Sequence, residues 1–205
     1  MGKILPRILD TKRDAILARE RSLAKEVASL VVETKPVTAW EILIPILFLM
    51  NLFQLKRSRE TFSLNFLFTK RLALEAAFSR IDRGKSREEA REEIKEKTGS
   101  ILAADRKGLY STKIRQKQMK EMDLLIDHYT RLLEADGKDH PAMVRNAYRT
   151  RENYLAFLQE LEEAEKEVYQ AATQTVKTSS AREIASQMEE STARIRRAEL
   201  DRVFS

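Results

Sequence analysis

The sequence predicts an all-α protein, a multi-helix assembly with a hydrophobic central helix and a long, coiled-coil-like antiparallel αα-hairpin. The 205 residues contain only 5 Gly and 4 Pro, too few for the frequent turns that strands require. Apolar residues make up 42% of the chain and recur at helical spacing. Charged residues make up 34%, as expected for amphipathic helices that expose one face to water.

The first predicted helix runs from about residue 6 to residue 33. Pro6 suits a first helical turn, where its missing N–H leaves no hydrogen bond unmade. The helix ends at Thr34-Lys35-Pro36, because the residue before a proline is disfavoured in helical geometry. Its predicted buried stripe consists of Ile8, Ala15, Leu23, Val27 and Leu30.

The second predicted helix, residues 37–55, is the most apolar part of the chain. Eleven of its nineteen residues are Leu, Ile, Val or Phe. Thr38 and Glu41 have the spacing of a capping box, which favours a helix start at this point. The residues of this membrane or core segment are Trp40, Ile42, Ile44, Pro45, Leu47, Phe48, Leu49, Leu52 and Phe53.

Three interpretations of residues 37–55 stay open: a central helix of a soluble bundle, a shallow or re-entrant membrane element, and a full membrane span. The length approaches the ~30 Å hydrocarbon thickness, but Glu41, Asn51 and Pro45 oppose insertion. Basic residues flank both ends in similar numbers, which favours both ends lying on the same side of a membrane.

A third helix over residues 61–83 is predicted from Leu64, Leu67, Phe68, Leu74, Phe78 and Ile81, with Gly84 as its C-cap. A short charged helix follows. Ser86 and Glu89 form its capping box, Ala90 and Ile94 its buried edge, and Gly99 its end. We interpret residues 84–100 as a connector between two halves of the chain.

Residues 101–178 predict the αα-hairpin, with arms at 102–135 and 141–176 and a turn at 136–140 that leads into Pro141. A last helix spans residues 181–203. The predicted divisions are 1–83, 84–100, 101–178 and 179–205. The stripe on the first arm is Met122, Leu125, Tyr129 and Leu132, and the stripe on the second includes Tyr148, Leu155, Leu158, Leu161 and Val168.

Two basic clusters lie next to these predicted helices in the sequence. Lys or Arg at an anionic membrane contributes about 1 kcal/mol each, while the same side chains can bind nucleic-acid phosphates or form a solvated helix face. The candidate basic surface consists of Lys56, Arg57, Arg59, Arg106, Lys107, Lys113, Arg115, Lys117 and Lys120.

The second arm is rich in aromatic residues, which predicts hairpin packing or, if the stripe stays uncovered, an interface with a protein partner or a second copy of the chain. The candidate interface residues are Tyr148, Tyr154, Phe157 and Leu161.

No catalytic, cofactor or metal motif is present in the sequence. The absence of Cys excludes disulfides and thiolate ligands. Adjacent helix positions point apart, so Asp123, Asp127 and His128 are not expected to converge on one ion. We expect His128 to be partly buried and His140 to be exposed in the turn.

The sequence therefore predicts a non-enzymatic helical adaptor or scaffold, without cofactor. It is expected in the cytoplasm, where residues 37–55 would attach it to a membrane surface or form its core. The alternative is a fully soluble regulatory or nucleic-acid-associated protein that uses residues 106–120.

Overall fold

The computed structural model describes residues 4–32, 58–105, 110–176 and 179–205, and every regular element within these residues is an α-helix. This confirms the predicted all-α class. The seven helices are α1 (Ile4–Val32), α2 (Ser58–Asp82), α3 (Arg87–Ala104), α4 (Thr112–Glu134), α5 (His140–Tyr148), α6 (Arg151–Val176) and α7 (Ser179–Val203).

Local capping explains where the helices begin. The Ser86 hydroxyl accepts a hydrogen bond from Glu89 N, and the Glu89 carboxylate accepts one from Ser86 N, so the predicted capping box is confirmed. Asp139 caps α5 by accepting a hydrogen bond of 2.8 Å from Ala142 N, with Pro141 in the first turn.

Three predicted helix boundaries are wrong. The first hairpin arm, predicted to begin at residue 102, begins as α4 only at Thr112. Helix α3 continues past Gly99 to Ala104, because Ile101 and Leu102 pack against the core and extend its buried edge. The predicted second arm is interrupted at Arg149, which has a φ of 67°. Thr150 then caps α6, since its hydroxyl accepts a hydrogen bond from Asn153 N.

Five helices form a closed ring, in which α1 packs on α2, α2 on α4, α4 on α6, α6 on α7, and α7 on α1. Helix α3 lies against α2 and α4, and α5 contacts α1, α4, α6 and α7. Each helix of the ring therefore buries its apolar stripe against two neighbours.

The core has two clusters, one towards each end of the ring. We call the first the joining end, because the chain leaves α1 and enters α2 there; it contains the C-terminal part of α1, the first turns of α2, the start of α4, the C-terminal part of α6 and the start of α7. The second lies at the opposite end. Both clusters contain residues from before and after residues 84–100, and the division of the chain at that connector stays a prediction.

The predicted stripes are partly confirmed. All four stripe residues of α4 are buried, as are Ala90 and Ile94 of α3. Ile8, Leu30 and Leu64, however, are large apolar side chains that are exposed at 50%, 37% and 42%. Leu30 and Leu64 both belong to the joining end of the α1–α2 pair.

Two glycines in turns allow a matched test of backbone constraint. Both have positive φ, but a Cβ at Gly84 would meet no atom within 4 Å, whereas one at Gly137 would lie 2.7 Å from Met143 N. We expect Gly84→Ala to cost about 1 kcal/mol from the positive φ alone, and Gly137→Ala to cost more than about 2 kcal/mol. Urea unfolding followed by circular dichroism measures both, and equal losses would contradict the close approach at Gly137.

Candidate functional site

The apolar segment at residues 37–55, including Trp40, Pro45, Phe48 and the other candidate residues, lies outside the described residues. The nearest described residues on either side of it are Val32, which ends α1, and Ser58, which begins α2. The Ser63 hydroxyl donates a hydrogen bond of 3.3 Å to Ala24 O, and Ile16 shares a core cluster with Ala73 and Leu74. Helices α1 and α2 are therefore antiparallel, and both connections to residues 33–57 lie at the joining end.

The described part of the basic stretch, residues 110–120, begins at the same end. Tyr110 and Ile114 are buried in the same cluster as Leu23–Val31, and Lys113 Nζ donates a hydrogen bond of 2.8 Å to Gln174 Oε1 near the end of α6. Four residues of the candidate basic surface, Lys56, Arg57, Arg106 and Lys107, lie outside the described residues.

Farther along α4, the basic side chains contact the chain itself. Arg115 donates hydrogen bonds to Lys95 O and Thr98 Oγ1. The Nζ atoms of Lys117 and Lys120 lie 3.4 and 3.1 Å from Glu167 Oε2. The Glu167 carboxylate therefore offsets one of the two lysine charges, whereas Lys113 in the first turn of α4 contacts the uncharged Gln174.

The candidate interface residues lie inside the protein. Tyr148, Tyr154 and Leu161 are buried, and Phe157 is half-buried beside them. The ring of Phe157 stacks on His128 with centroids 4.3 Å apart. Packing within the chain, the other interpretation of this stripe, accounts for these side chains, and we do not propose a partner interface there.

Both histidines are buried, which corrects the expectation of an exposed His140 and a partly buried His128. His128 Nδ1 forms a hydrogen bond of 2.7 Å with the Tyr148 hydroxyl. His140 Nδ1 lies 3.4 Å from Glu199 Oε1, because α5, which begins at His140, packs on α1 and α7. Burial lowers the pKa of His128 and His140, so both are neutral near pH 7.

A group of charged side chains lies in the centre of the helix ring, and sequence analysis did not identify it. Glu165 of α6 accepts hydrogen bonds from both terminal nitrogens of Arg196 at 2.6 and 2.8 Å and from Lys70 Nζ at 3.1 Å. All three side chains are buried. This buried triad connects α2, α6 and α7.

A second carboxylate, Glu121 of α4, is buried near the triad. Burial raises the pKa of Glu121 to about 7, with the charge of Lys70 opposing and that of Glu165 adding to the shift. Burial also raises the pKa of Glu165, but the positive charges of Arg196 and Lys70 outweigh this effect and lower the pKa to about 2. Glu165 is therefore the ionised partner, and Glu121 is the group that gains a proton near neutral pH.

A further, partly buried ion pair joins the first and last helices. Arg19 of α1 makes a bidentate contact with Glu199 of α7, in which Nε donates to Oε1 at 2.6 Å and Nη2 donates to Oε2. Since the pair closes the ring between α1 and α7, it holds the two ends of the described chain together.

The sequence carries a signal for this charged interior. Glu165 follows Leu158 and Leu161 at the spacing of the buried stripe, and Arg196 follows Met188 and Thr192 in the same way. A charged residue at a stripe position predicts a buried, paired charge.

Charged and histidine side chains of α4 contact other residues of the chain, and these contacts stabilise the fold. Asp123 and Asp127 pair with Arg91 and Arg87, while His128 contacts Tyr148. Over the described ranges there is no group of three or more His, Cys, Asp or Glu residues arranged to hold a metal ion. Within the same parts of the chain, no helix is long and apolar enough to cross a membrane.

Comparison of the chain with models of protein families, with curated proteins and with solved structures finds no match.

Loss of the central carboxylate is expected to destabilise the fold strongly. Glu165→Gln leaves Arg196 and Lys70 buried without their partner, and removal of one member of a buried pair costs about 3–5 kcal/mol. The exposed Glu160 of the same helix provides the control, since Glu160→Gln should change the unfolding free energy by less than about 0.5 kcal/mol. Urea unfolding tests both, and similar small losses would show that the triad contributes little.

The pKa of Glu121 makes stability depend on pH. The folded pKa of about 7 exceeds the ordinary 4.5, so the folded state binds the proton more tightly and stability falls as pH rises from about 4.5 through 7. Glu121→Gln removes this loss. We expect the stability of the variant relative to the natural protein to increase by about 2 kcal/mol between pH 5 and pH 8.

Urea unfolding at several pH values measures the difference, and Glu134→Gln, an exposed change on the same helix, is the control. The buried histidines titrate in both proteins and cancel in the comparison. A difference that stays constant from pH 5 to pH 8 would contradict the assignment of Glu121.

Proposed function

We propose that this protein is a non-enzymatic helical adaptor or scaffold, attached to the cytoplasmic surface of a membrane through residues 37–55. The observation that carries the proposal is the arrangement of the joining end. The end of α1, the start of α2 and the described beginning of the basic stretch at Tyr110 lie together at one end of the helix ring.

The charge of the joining end supports an orientation in which this end faces the membrane. Across the described residues of 21–32, 58–67, 105–117 and 179–188, seven Lys or Arg residues stand against four Asp or Glu residues. Each basic residue near an anionic leaflet contributes about 1 kcal/mol. In the sequence, the residues outside the described ranges that directly follow or precede them include the basic residues Lys35, Lys56, Arg57, Arg106, Lys107 and Lys177 and the acidic residue Glu33.

The antiparallel α1–α2 pair also suits an insertion that enters and leaves on the same side. A single segment that crossed the membrane would place α1 and α2 on opposite sides, yet the two helices pack along their length. A shallow or re-entrant insertion of residues 37–55 is compatible with this packing. Basic residues on both flanks agree with the same topology.

The rest of the ring would then present a surface to a protein partner, or to a second copy of the chain. The opposite end would face away from the membrane, and it carries the exposed Ile8. We propose further that α4 and α6 act as the two arms of a coiled-coil-like hairpin, since they pack directly on one another and α5 lies in the connection between them.

Residues 37–55 have a competing role as a hydrophobic central helix of a soluble protein. Fractionation of cells that express the natural chain separates the two, because an inserted segment survives a carbonate wash and a buried one leaves the protein in the supernatant. We expect the natural protein to stay in the washed membrane pellet. The double variant Ile44→Asp/Phe48→Asp should move mostly to the supernatant, because each charge costs about 2.5–3.5 kcal/mol in the hydrocarbon region.

Ile8→Asp adds a charge at an exposed apolar position of the opposite end and serves as the control, which should pellet like the natural protein. If the natural protein is soluble before any wash, the membrane proposal is wrong and the core interpretation of residues 37–55 takes its place.

A further inference from the structure

A groove of about 790 Å³ lies between α1 and α2 at the joining end. The small side chains of Ala24 and Ala28 leave room on the α1 side, and Leu64 and Leu67 line the α2 side. Leu64 is 42% exposed, although its position in the sequence predicts a core residue. The groove therefore offers an apolar surface that the described residues leave open to solvent.

Basic side chains border this apolar surface. Arg21 and Lys25 lie on exposed positions of α1, one turn apart, and Arg59 lines the groove from the first turn of α2. Glu60 is the single acidic residue that lines it among the described residues. The combination of an apolar floor with a cationic border fits a ligand that has an apolar body and an anionic head.

The position of the groove indicates the source of such a ligand. The chain leaves α1 after Val32 and returns at Ser58, so the 25 residues between them connect to both walls of the groove at the same end. Leu30, the other large apolar side chain exposed at this end, lies next to the connection. If residues 37–55 enter a membrane, the walls of the groove are held within a few helical turns of its surface.

We propose that the α1–α2 groove is a docking surface for anionic membrane lipids, with Arg21 and Lys25 contacting the headgroups and Leu64 contacting the apolar region beneath them. This inference rests on the proposed function and deepens it. It gives the protein a preference for anionic membranes that the apolar segment alone would not provide, because hydrophobic insertion does not distinguish lipid charge.

The full-length protein tests this in a vesicle flotation assay, with vesicles of phosphatidylcholine alone or with 30% phosphatidylglycerol. We expect the natural protein to bind the anionic vesicles at least about tenfold more tightly. Arg21→Glu/Lys25→Glu should remove this preference, and Arg21→Gln/Lys25→Gln should reduce it. Leu64→Ser should weaken binding to the anionic vesicles while it leaves the preference for charge in place.

Arg7→Glu/Lys138→Glu is the matched control, since it makes the same change of charge at exposed residues of the opposite end. It should bind as the natural protein does. Thermal melts confirm that each variant is folded, and because the four charged positions are exposed, similar melting temperatures are expected.

The outcomes separate the two proposals. Anionic preference that the groove variants lose and the control keeps supports the docking surface. Equal binding by all proteins overturns the docking surface but leaves membrane attachment standing, whereas charge-dependent binding that high salt fully reverses supports the groove and overturns insertion. Absence of binding to either vesicle overturns both.

Two further measurements test other occupants of the groove. If the groove variants lose binding to duplex RNA while vesicle binding is unchanged, the basic border serves nucleic acid and the lipid proposal is wrong. If the natural protein forms a dimer in sedimentation that Leu64→Ser disrupts without any effect on vesicles, the groove is covered by a second copy of the chain, and the lipid proposal is again wrong.

Discussion

The carboxylate of Glu165 imposes the main constraint on this fold. It is buried among three helices, and its charge is balanced by a bidentate contact with Arg196 and a hydrogen bond from Lys70. Buried charges of this kind contribute little net stability compared with apolar residues, but they are costly to leave unpaired. Any rearrangement of α2, α6 or α7 that separated the three side chains would incur this cost. We infer that the triad selects this packing over other arrangements of the same amphipathic helices.

The position of the joining end follows from that packing. With α2, α6 and α7 fixed by the triad and α1 held to α7 by Arg19 and Glu199, the ring closes in one register. The chain then leaves α1, enters α2 and begins α4 at the same end. The described residues that flank the apolar segment, Val32 and Ser58, and the first turn of α4 are thereby brought to one end of the ring, and the proposed attachment to a membrane depends on this arrangement.

The all-α class and the positions of most helices could be predicted from the sequence, because both depend on local signals. Ser86 with Glu89 and Asp139 with Pro141 mark helix starts that the structure confirms, and the stripe of α4 is buried as its spacing indicates.

The interruption at Arg149 was missed, since the apolar period continues across it and Thr150 gives only a weak cap signal. The burial of His140 could not be predicted, because it depends on how α5 folds over α1 and α7. The charged interior was missed because the predicted stripes were drawn from apolar residues alone, although Glu165 and Arg196 occupy stripe positions.

The membrane-facing orientation of the joining end is the central claim, and depth-dependent fluorescence quenching tests it most directly. The chain has no Cys, so a single label can be placed through Glu60→Cys at the joining end or through Lys138→Cys at the opposite end, both exposed positions. In anionic vesicles that contain lipids with a nitroxide in the headgroup region, the label at position 60 should be strongly quenched and the label at position 138 should not. Equal quenching at the two positions, or quenching at position 138 alone, would contradict the account.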